Sequence, residues 1–527
     1  MKKNTRKNYG ANIFPIFLRK KNKFKIFSMT IYRLEDKTFD TRKSYISIGK
    51  EKFNIKFLFK KGIRLFKKFY FNFYSADINY DKLTELEIQN PIYYHFVGKE
   101  DYECAYLYNL LYYRFTIGNH SRVHNYDNMN LCCFIRQTRG NTMGLTLRHK
   151  NYTDHGFFKI FFAWLLSLFY VKSKIILLYE KNNEKYEESA CRVYEKLIDE
   201  GYPAYFILNE NSKHWVNIKD KYRKNIIKSF TFKHYLYYFK CRKFIGTETV
   251  AHSMELRSIN RLINIKRFLQ RYKFVFLQHG VMYMVSLDST ERTAFVKGRN
   301  LPKFTKIVVS SKLEREHFTS LGGYEDNDLY VTGLPAYDKN KKNKNADKIT
   351  IMTTWRPWDY NVLESNYKES SYYKMIKNII KNIPEEYKDK VNLLPHPLVK
   401  DKFEKTNLKK YILDEISYDK VLEKTSLLIT DYSSISYSAF YRGSNVIFCW
   451  NEKDECMSHY GAHLMLNEKN TFGDYSYDYK DLPKLIKNNY NKPQSKAHLN
   501  NYRKIVEFHD GKNTERLVEC LKKDKFI

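Results

Sequence analysis

The strongest constraint on the fold is a succession of short, unbroken apolar runs separated by segments of helical character. KIILLYE, AYFILN, CRKFIGTETV, KFVFLQHG, KIVVSSKLEREHF and DLYVTG follow one another between residues 174 and 333, and KITIMTTW, KVNLLPHP, SLLITDYSS and NVIFCW between 348 and 450. Runs of that length without polar alternation suit strands buried on both faces. The segments between them, such as EKYEESACRVYEKLIDEG with its closing Gly201, carry the spacing of crossover helices. Two helix-covered parallel sheets are expected, one from each series. The polar, aperiodic stretch DKNKKNKNADK (338–348) lies between the series and reads as an exposed connection.

Upstream the pattern changes. From about 28 to 140, segments such as SYISIG, FNIKFLF and FYFNFY are broken by Asn, Asp and Gly, which predicts a small β-rich domain. The run FFKIFFAWLLSLFYV (157–171), interrupted by Lys159, falls short of the roughly 20 residues a spanning helix needs. It is read as a helix that packs or lies on a membrane. The expected organisation is therefore a basic β-rich domain over 1–156, an apolar helix over 157–172, and Rossmann-like halves over 173–340 and 341–527. A chain of 527 residues is long enough to build several such cores.

The formal net charge of +35 points to an anionic partner, and it is front-loaded: the first 70 residues hold 21 Lys and Arg against Glu35, Asp36, Asp40 and Glu51. The 8 Cys form no CxxC pair and no zinc-like spacing with His, as expected of reduced thiols in a cytosolic protein. The basic N-terminus has too short an apolar stretch for a secretory signal, so no export is expected.

In doubly wound sheets ligands bind at the carboxyl ends of the strands. Those ends carry Gln278, His279 and Gly280 after KFVFL; Thr353, Thr354 and Arg356 after KITIM; Pro395 and His396 after VNLL; and Asp431, Ser433 and Ser434 after SLLI. ISYSAFYRG has helical character, which sets Ser433 and Ser434 at a helix N-terminus suited to a diphosphate. Arg356 is suited to bidentate phosphate contact, and His396, held between prolines, to donation to a phosphate oxygen. His279 belongs to the other half. A cleft between the halves would set its imidazole, with a pKa near 6.5, against the bound diphosphate as a general base, while Gly280 would admit substrate close to the backbone.

These residues resemble the CDP-glycerol glycerophosphotransferase family of teichoic acid and capsule enzymes. The resemblance is carried, in the family's order, by FLQHG (276–280), KIVVSSKLEREHF (306–318), VTGLPAYD (331–338), IMTTWRPW (351–358), LLPHP (393–397), ITDYSS (429–434) and FHDGKNTER (508–516). It implies a GT-B architecture in which the first Rossmann half engages the acceptor and the second holds a CDP-alditol. It also implies attack by an acceptor hydroxyl on the β-phosphate, with release of CMP. Carried over, His279 is the base with His396 as its catalytic companion. Gln278 and Gly280 stand beside the donor; Thr353, Thr354, Pro395, Ser433 and Ser434 line its site, and Arg356 and Arg516 are phosphate partners. Ser438, counted with the donor site, stands where the family commonly has Asp, Ala336 where its turn usually has Arg, and Asn445 where Pro usually precedes the strand. These departures leave the choice between glycerol and ribitol phosphate open.

The implied acceptor is lipid-linked or polymeric, and the chain offers three basic-aromatic stretches for an anionic membrane: the first 70 residues, 157–171 and 219–244. The expected location is cytoplasmic, peripheral on the inner face of the bacterial cell membrane. No metal site or cofactor is required, although the diphosphate leaves room for Mg²⁺ assistance. A GT-B glycosyltransferase using a nucleotide sugar is the alternative enzyme. A nucleic-acid partner is not expected, since no RNP-like, zinc-finger or helix-turn-helix signature accompanies the charge.

Overall fold

The computed structural model describes most of residues 174–527, apart from 255–270, 289–294, 299–300, 340–343, 355, 360–361, 363–365, 397–399 and 414–416. Within the first 173 residues it describes eleven strands, a few residues beside them and 157–170. The basic residues 1–9 and the centre of the expected connection, 340–343, lie outside the described residues. Two compact units are distinguished, with Met1–Phe169 making up the bulk of one and Tyr170–Glu255 with Lys266–Ile527 the other.

The first unit is β-rich, as its alternating segments predict. Its strands form one antiparallel sheet, in which Lys23–Arg33 pairs along its whole length with Phe69–Asn79. The period-2 alternation puts Ile26, Ile46, Ile48, Tyr74, Ala76 and Ile78 in the buried layer. The helix Phe157–Ser167 buries Ile160 and Ala163 and leaves Phe158 and Phe162 exposed. No described helix is long and apolar enough to cross a membrane.

The second unit holds both parallel sheets. In the first the spatial order is Ile226–Lys228, Ala204–Leu208, Ile176–Tyr179, Lys243–Gly246, Lys273–Phe276, Phe304–Val309 and Leu329–Val331. The chain thus reverses its direction of travel between Ile176–Tyr179 and Lys243–Gly246. In the second the order is Val391–Leu393, Lys348–Ile351, Thr425–Thr430, Asn445–Cys449 and Asp474–Ser476, with the reversal between Lys348–Ile351 and Thr425–Thr430. Crossovers leave in opposite directions at such points, opening a crevice at the strand ends. Central strands are buried throughout, as their apolar runs require: every residue of Ile176–Tyr179 and Thr425–Thr430 is buried.

The stretch 219–244, open to reading as a membrane-surface segment or as a basic face over packed aromatics, is divided among the helix Asp220–Arg223, the edge strand Ile226–Lys228 and the helix Phe232–Lys240. Tyr235, Tyr238 and Phe239 of that last helix are buried, with Tyr238 edge-on to Phe244 at 5.3 Å and to Tyr272 at 5.5 Å. Its aromatic face therefore belongs to the core, where rings bury large areas.

The chain ends by returning to the first sheet's half. Asp338 accepts the backbone N–H groups of Asn513 and Thr514, both at 2.8 Å, at the start of the helix Asn513–Lys523. At the far end, the Tyr330 hydroxyl donates to Asp524 at 2.7 Å and Lys522 pairs with Glu200 at 3.0 Å.

Candidate active site

On the first sheet, Glu180 follows the strand Ile176–Tyr179 and is fully buried. It accepts the backbone N–H groups of Glu187 at 3.0 Å, Glu188 at 3.1 Å and Cys191 at 3.0 Å. Burial, then the neighbouring Glu188, push its pKa up to about 7. This carboxylate ties down the start of the helix Ser189–Asp199 and so sets the position of Glu188, the residue before it. Across the reversal point, Glu248 follows Lys243–Gly246, and its Oε2 accepts the Asn182 backbone N–H at 2.9 Å.

The next strand, Lys273–Phe276, delivers His279 to the same place. Gln278 makes this possible by adopting a left-handed backbone, φ 60°, a conformation that costs a non-glycine residue on the order of 1 kcal/mol or more. Its side chain, expected beside the donor, is buried, and its Nε2 donates to the Val308 carbonyl at 2.5 Å. The polar end of Gln278 is engaged by the sheet, and the turn it makes exposes the following histidine.

His279 lies between two carboxylates, Nδ1 at 3.4 Å from Glu188 Oε2 and Nε2 at 3.7 Å from Glu248 Oε1. Its side chain is 42% exposed; the desolvation it does suffer works against its charge, but Glu188 and Glu248 outweigh that and raise its pKa to about 9. The near-unperturbed value expected for the base is thereby corrected: at pH 7 the resting group is mostly imidazolium. For Glu188, burial alone would raise the pKa; His279 and Lys185, whose Nζ is 3.0 Å away, lower it to about 2.

On the second sheet Asp431 is the organising residue, fully buried at the end of Thr425–Thr430. It accepts from the Thr354 N–H at 2.8 Å, the Thr354 hydroxyl at 2.9 Å, the Arg356 Nη1 at 2.8 Å and the Tyr432 N–H at 2.6 Å. Arg356 is 1% exposed and also contacts Glu452 Oε2 at 3.3 Å. Its expected role as a phosphate partner is corrected: the guanidinium neutralises Asp431 inside the protein. Thr354 likewise directs its hydroxyl at Asp431, and Thr353 is buried. Both shape the loop from beneath.

Pro395 and His396 follow Val391–Leu393 and are half-buried, and the His396 backbone N–H donates to the Tyr372 hydroxyl at 3.1 Å. Burial, then the charge of Lys181 on the first sheet's side, lower the His396 pKa. Ser433 and Ser434 open the seven-residue helix Ile435–Tyr441; Ser434 is exposed and its side chain makes no capping hydrogen bond.

The two sheets' ends meet at these residues. A Cβ placed on Gly280 would lie 3.2 Å from Ser434 Oγ and 3.5 Å from Ser434 Cβ. Gly280, the residue after His279, therefore stands against Ser434 where the two sheets' ends meet. Tyr437 donates to the Tyr283 carbonyl at 3.0 Å, Ser417 to Glu187 Oε2 at 3.1 Å, and the Ser438 hydroxyl stands 3.5 Å from that of Tyr337. Arg516 does not reach the crevice as a free cation: it holds Asp510 at 2.7 and 3.0 Å and the Thr332 carbonyl at 3.0 Å, and lies 4.1 Å from the Phe508 ring centroid. Its donors join FHDGKNTER to VTGLPAYD.

Glu188, Glu248 and Lys181 are site or support residues beyond those the sequence pointed to, whereas Asp431 was among its strand-end residues. Glu248 lies within CRKFIGTETV, two residues after the strand Lys243–Gly246, a strand end of the same kind as the one that carries His279. Glu188 carried no such signal, being one acid among several before a helix. Among the described residues no cluster of three or more His, Cys, Asp or Glu is arranged to hold a metal ion.

Comparison with known proteins gives a family and a fold. Residues 160–523 match the family described as CDP-glycerol:poly(glycerophosphate) glycerophosphotransferase. The minor teichoic acid biosynthesis protein GgaB of Bacillus subtilis (strain 168) is 26% identical over 383 residues, covering 66% of this chain and 40% of GgaB. The chain thus spans well under half the length of that curated relative. A variant of the wall teichoic acid polymerase TagF superposes with a TM-score of 0.50 at 16% identity, covering 69% of this chain and 93% of the TagF chain. A second TagF variant, soaked with CDPG, gives 0.50 at 15% identity over 69% and 93% of the two chains. At that identity the likeness establishes the fold.

Proposed function

Because this chain belongs to the CDP-glycerol:poly(glycerophosphate) glycerophosphotransferase family, we propose that it transfers an alditol phosphate from a CDP-alditol to a hydroxyl of a membrane-linked polymer, in teichoic acid or capsule synthesis. The observation that carries this reading is the apposition of Gly280, the residue after His279 in one half, and Ser434 of the other. The names of GgaB and TagF support a teichoic acid product.

In this reading the donor diphosphate lies along Ser433 and Ser434, with Thr353 and Pro395 shaping the pocket. His396, kept neutral by burial and by Lys181, donates one N–H to a phosphate oxygen. The acceptor hydroxyl attacks the β-phosphorus; the new O–P bond forms as the bond from that phosphorus to the bridging oxygen breaks. CMP leaves with the bonding electrons as a phosphate monoester and needs no proton. The hydroxyl proton passes to the deprotonated form of His279. Glycerol and ribitol phosphate both remain candidate cargoes, with Ala336 and Ser438 at the positions where the resemblance departs.

Membrane contact on the cytoplasmic face is part of the proposal. The helix Phe157–Ser167 supports it with exposed Phe158, Phe162, Leu165 and Leu166, in a chain of net charge +35. Retention on anionic but not neutral vesicles, weakened by salt, is the expected result.

The decisive experiment incubates the purified full chain and its H279A variant with CDP-glycerol, CDP-ribitol and UDP-sugars, and a short glycerol-phosphate-terminated lipid acceptor. Acceptor-dependent CMP release by the wild type, lost in H279A with donor binding retained, is expected. UDP release with no CMP release would replace this reading by a nucleotide-sugar glycosyltransferase.

A further inference from the structure

We propose that Glu188 and Glu248 are positioning residues for the transfer, a two-carboxylate clamp that fixes one nitrogen of His279 and leaves the other to meet the acceptor hydroxyl. The proposal rests on His279 being the base, and it adds the two residues that orient it.

The geometry distinguishes the two ring nitrogens. Nδ1 lies 3.4 Å from Glu188 Oε2, within reach of a weak hydrogen bond, whereas Nε2 lies 3.7 Å from Glu248 Oε1, beyond one. An Nδ1–H donated to Glu188 selects the tautomer whose lone pair is on Nε2. Nε2, not hydrogen-bonded to Glu248 at that distance, is left for a hydroxyl oxygen to approach from beside the carboxylate to the roughly 2.6–3.2 Å that proton transfer needs.

Both carboxylates are themselves held in place. Glu248 Oε2 accepts the Asn182 N–H at 2.9 Å and faces His252 Nδ1 at 3.0 Å, which leaves Oε1 turned to His279. Lys185 holds Glu188 Oε1 at 3.0 Å, and the buried Glu180 accepts the Glu188 backbone N–H. Glu188 stands at the start of the helix Ser189–Asp199 and Glu248 follows the strand Lys243–Gly246, so the two carboxylates reach His279 from different segments. The charged groups around His279 are thus Glu188 and Glu248 in contact, with Lys185 and Glu180 behind the first and His252 behind the second.

The clamp accounts for where the proton goes. As the O–P bond forms, the hydroxyl proton moves to Nε2, and the resulting imidazolium lies between two carboxylates that stabilise it. It is released to solvent after CMP has left. The same carboxylates hold the proton in the resting enzyme, so turnover should rise with pH toward the His279 pKa of about 9.

The test measures CMP release by full-length wild type, E188Q, E248Q and H279A across pH 6–10, with whichever CDP-alditol supports turnover and the same lipid acceptor. For both glutamine variants the midpoint of the rising limb in kcat/KM should move to lower pH. Their kcat at the plateau should fall roughly 10- to 100-fold, with donor KM changed less than about twofold. E188D and E248D keep the charge at a changed distance, so they should lower kcat while holding the midpoint nearer the wild-type value, and they serve if a glutamine variant fails to fold. An inactive H279A with unmoved midpoints and wild-type kcat in the glutamine variants overturns the clamp and leaves the base reading standing. A fully active H279A overturns the base reading itself.

Discussion

Gly280→Ala probes the contact on which the site depends. Gly280 is not in the left-handed backbone region, so alanine meets no conformational penalty there and the effect is one of space. The new methyl would stand 3.2 Å from Ser434 Oγ and 3.5 Å from Ser434 Cβ. The first contact is too close by a few tenths of an ångström and the second is ordinary. Rotation of the exposed serine about χ1 relieves most of the crowding, so the stability cost should sit at the low end of overpacking, about 1 kcal/mol. Function is more sensitive, because that rotation swings the hydroxyl away from the crevice. Displacements of about 1 Å at positioning groups cost on the order of 100-fold, and a few tenths should cost about tenfold in kcat/KM for the CDP-alditol, or ~1.4 kcal/mol. The assay is CMP release in wild type, G280A, S434A and the double variant. If the crowding acts through Oγ, G280A loses most of its penalty in the S434A background, a coupling of about 1 kcal/mol. Penalties that add to within ~0.3–0.5 kcal/mol would show that residues 280 and 434 do not face each other in the working enzyme, and the reasoning would fail.

Asp431→Asn leaves the buried Arg356 without its 2.8 Å partner and should destabilise by about 3–5 kcal/mol in urea unfolding, whereas the paired apolar replacement R356M/D431L should recover much of that loss. Asp338→Ala removes the acceptor for two N–H groups at the start of the last helix and should cost about 1–2 kcal/mol in the same measurement. The raised His279 pKa makes a stabilising contribution that is complete below about pH 6.5 and disappears as pH rises through about 9. The Tm difference between wild type and H279A should therefore favour wild type most at pH 6 and shrink by pH 10; a difference that grows with pH would refute the ion-pair assignment.

Legibility in the sequence followed burial. Strands covered on both faces need continuous apolar residues, so Lys273–Phe276, Lys348–Ile351 and Thr425–Thr430 were readable, and with them the places where His279, Thr353 and Ser433 emerge. All four edge strands of the two sheets are three residues each; Leu329–Val331 and Val391–Leu393 were legible within the apolar runs DLYVTG and KVNLLPHP, whereas Ile226–Lys228 and Asp474–Ser476 lie in polar surroundings and were not. Side-chain direction was the weakest inference. Gln278, Arg356 and Arg516 all belong to recognisable motifs, yet each sends its polar end to a partner in another segment: Val308, Asp431 and Thr332.

The amino-acid order alone determined the β-rich start, the two helix-covered parallel sheets and the strand ends at which chemistry could occur, because apolar periodicity and turn residues are local properties. The strand order was decided only in three dimensions, and with it the pairing of Gly280 with Ser434 and the enclosure of His279 by Glu188 and Glu248. Those carboxylates come from a helix start and a strand end, and the proton affinity they impose depends on distances of a few ångströms that no sequence spacing encodes.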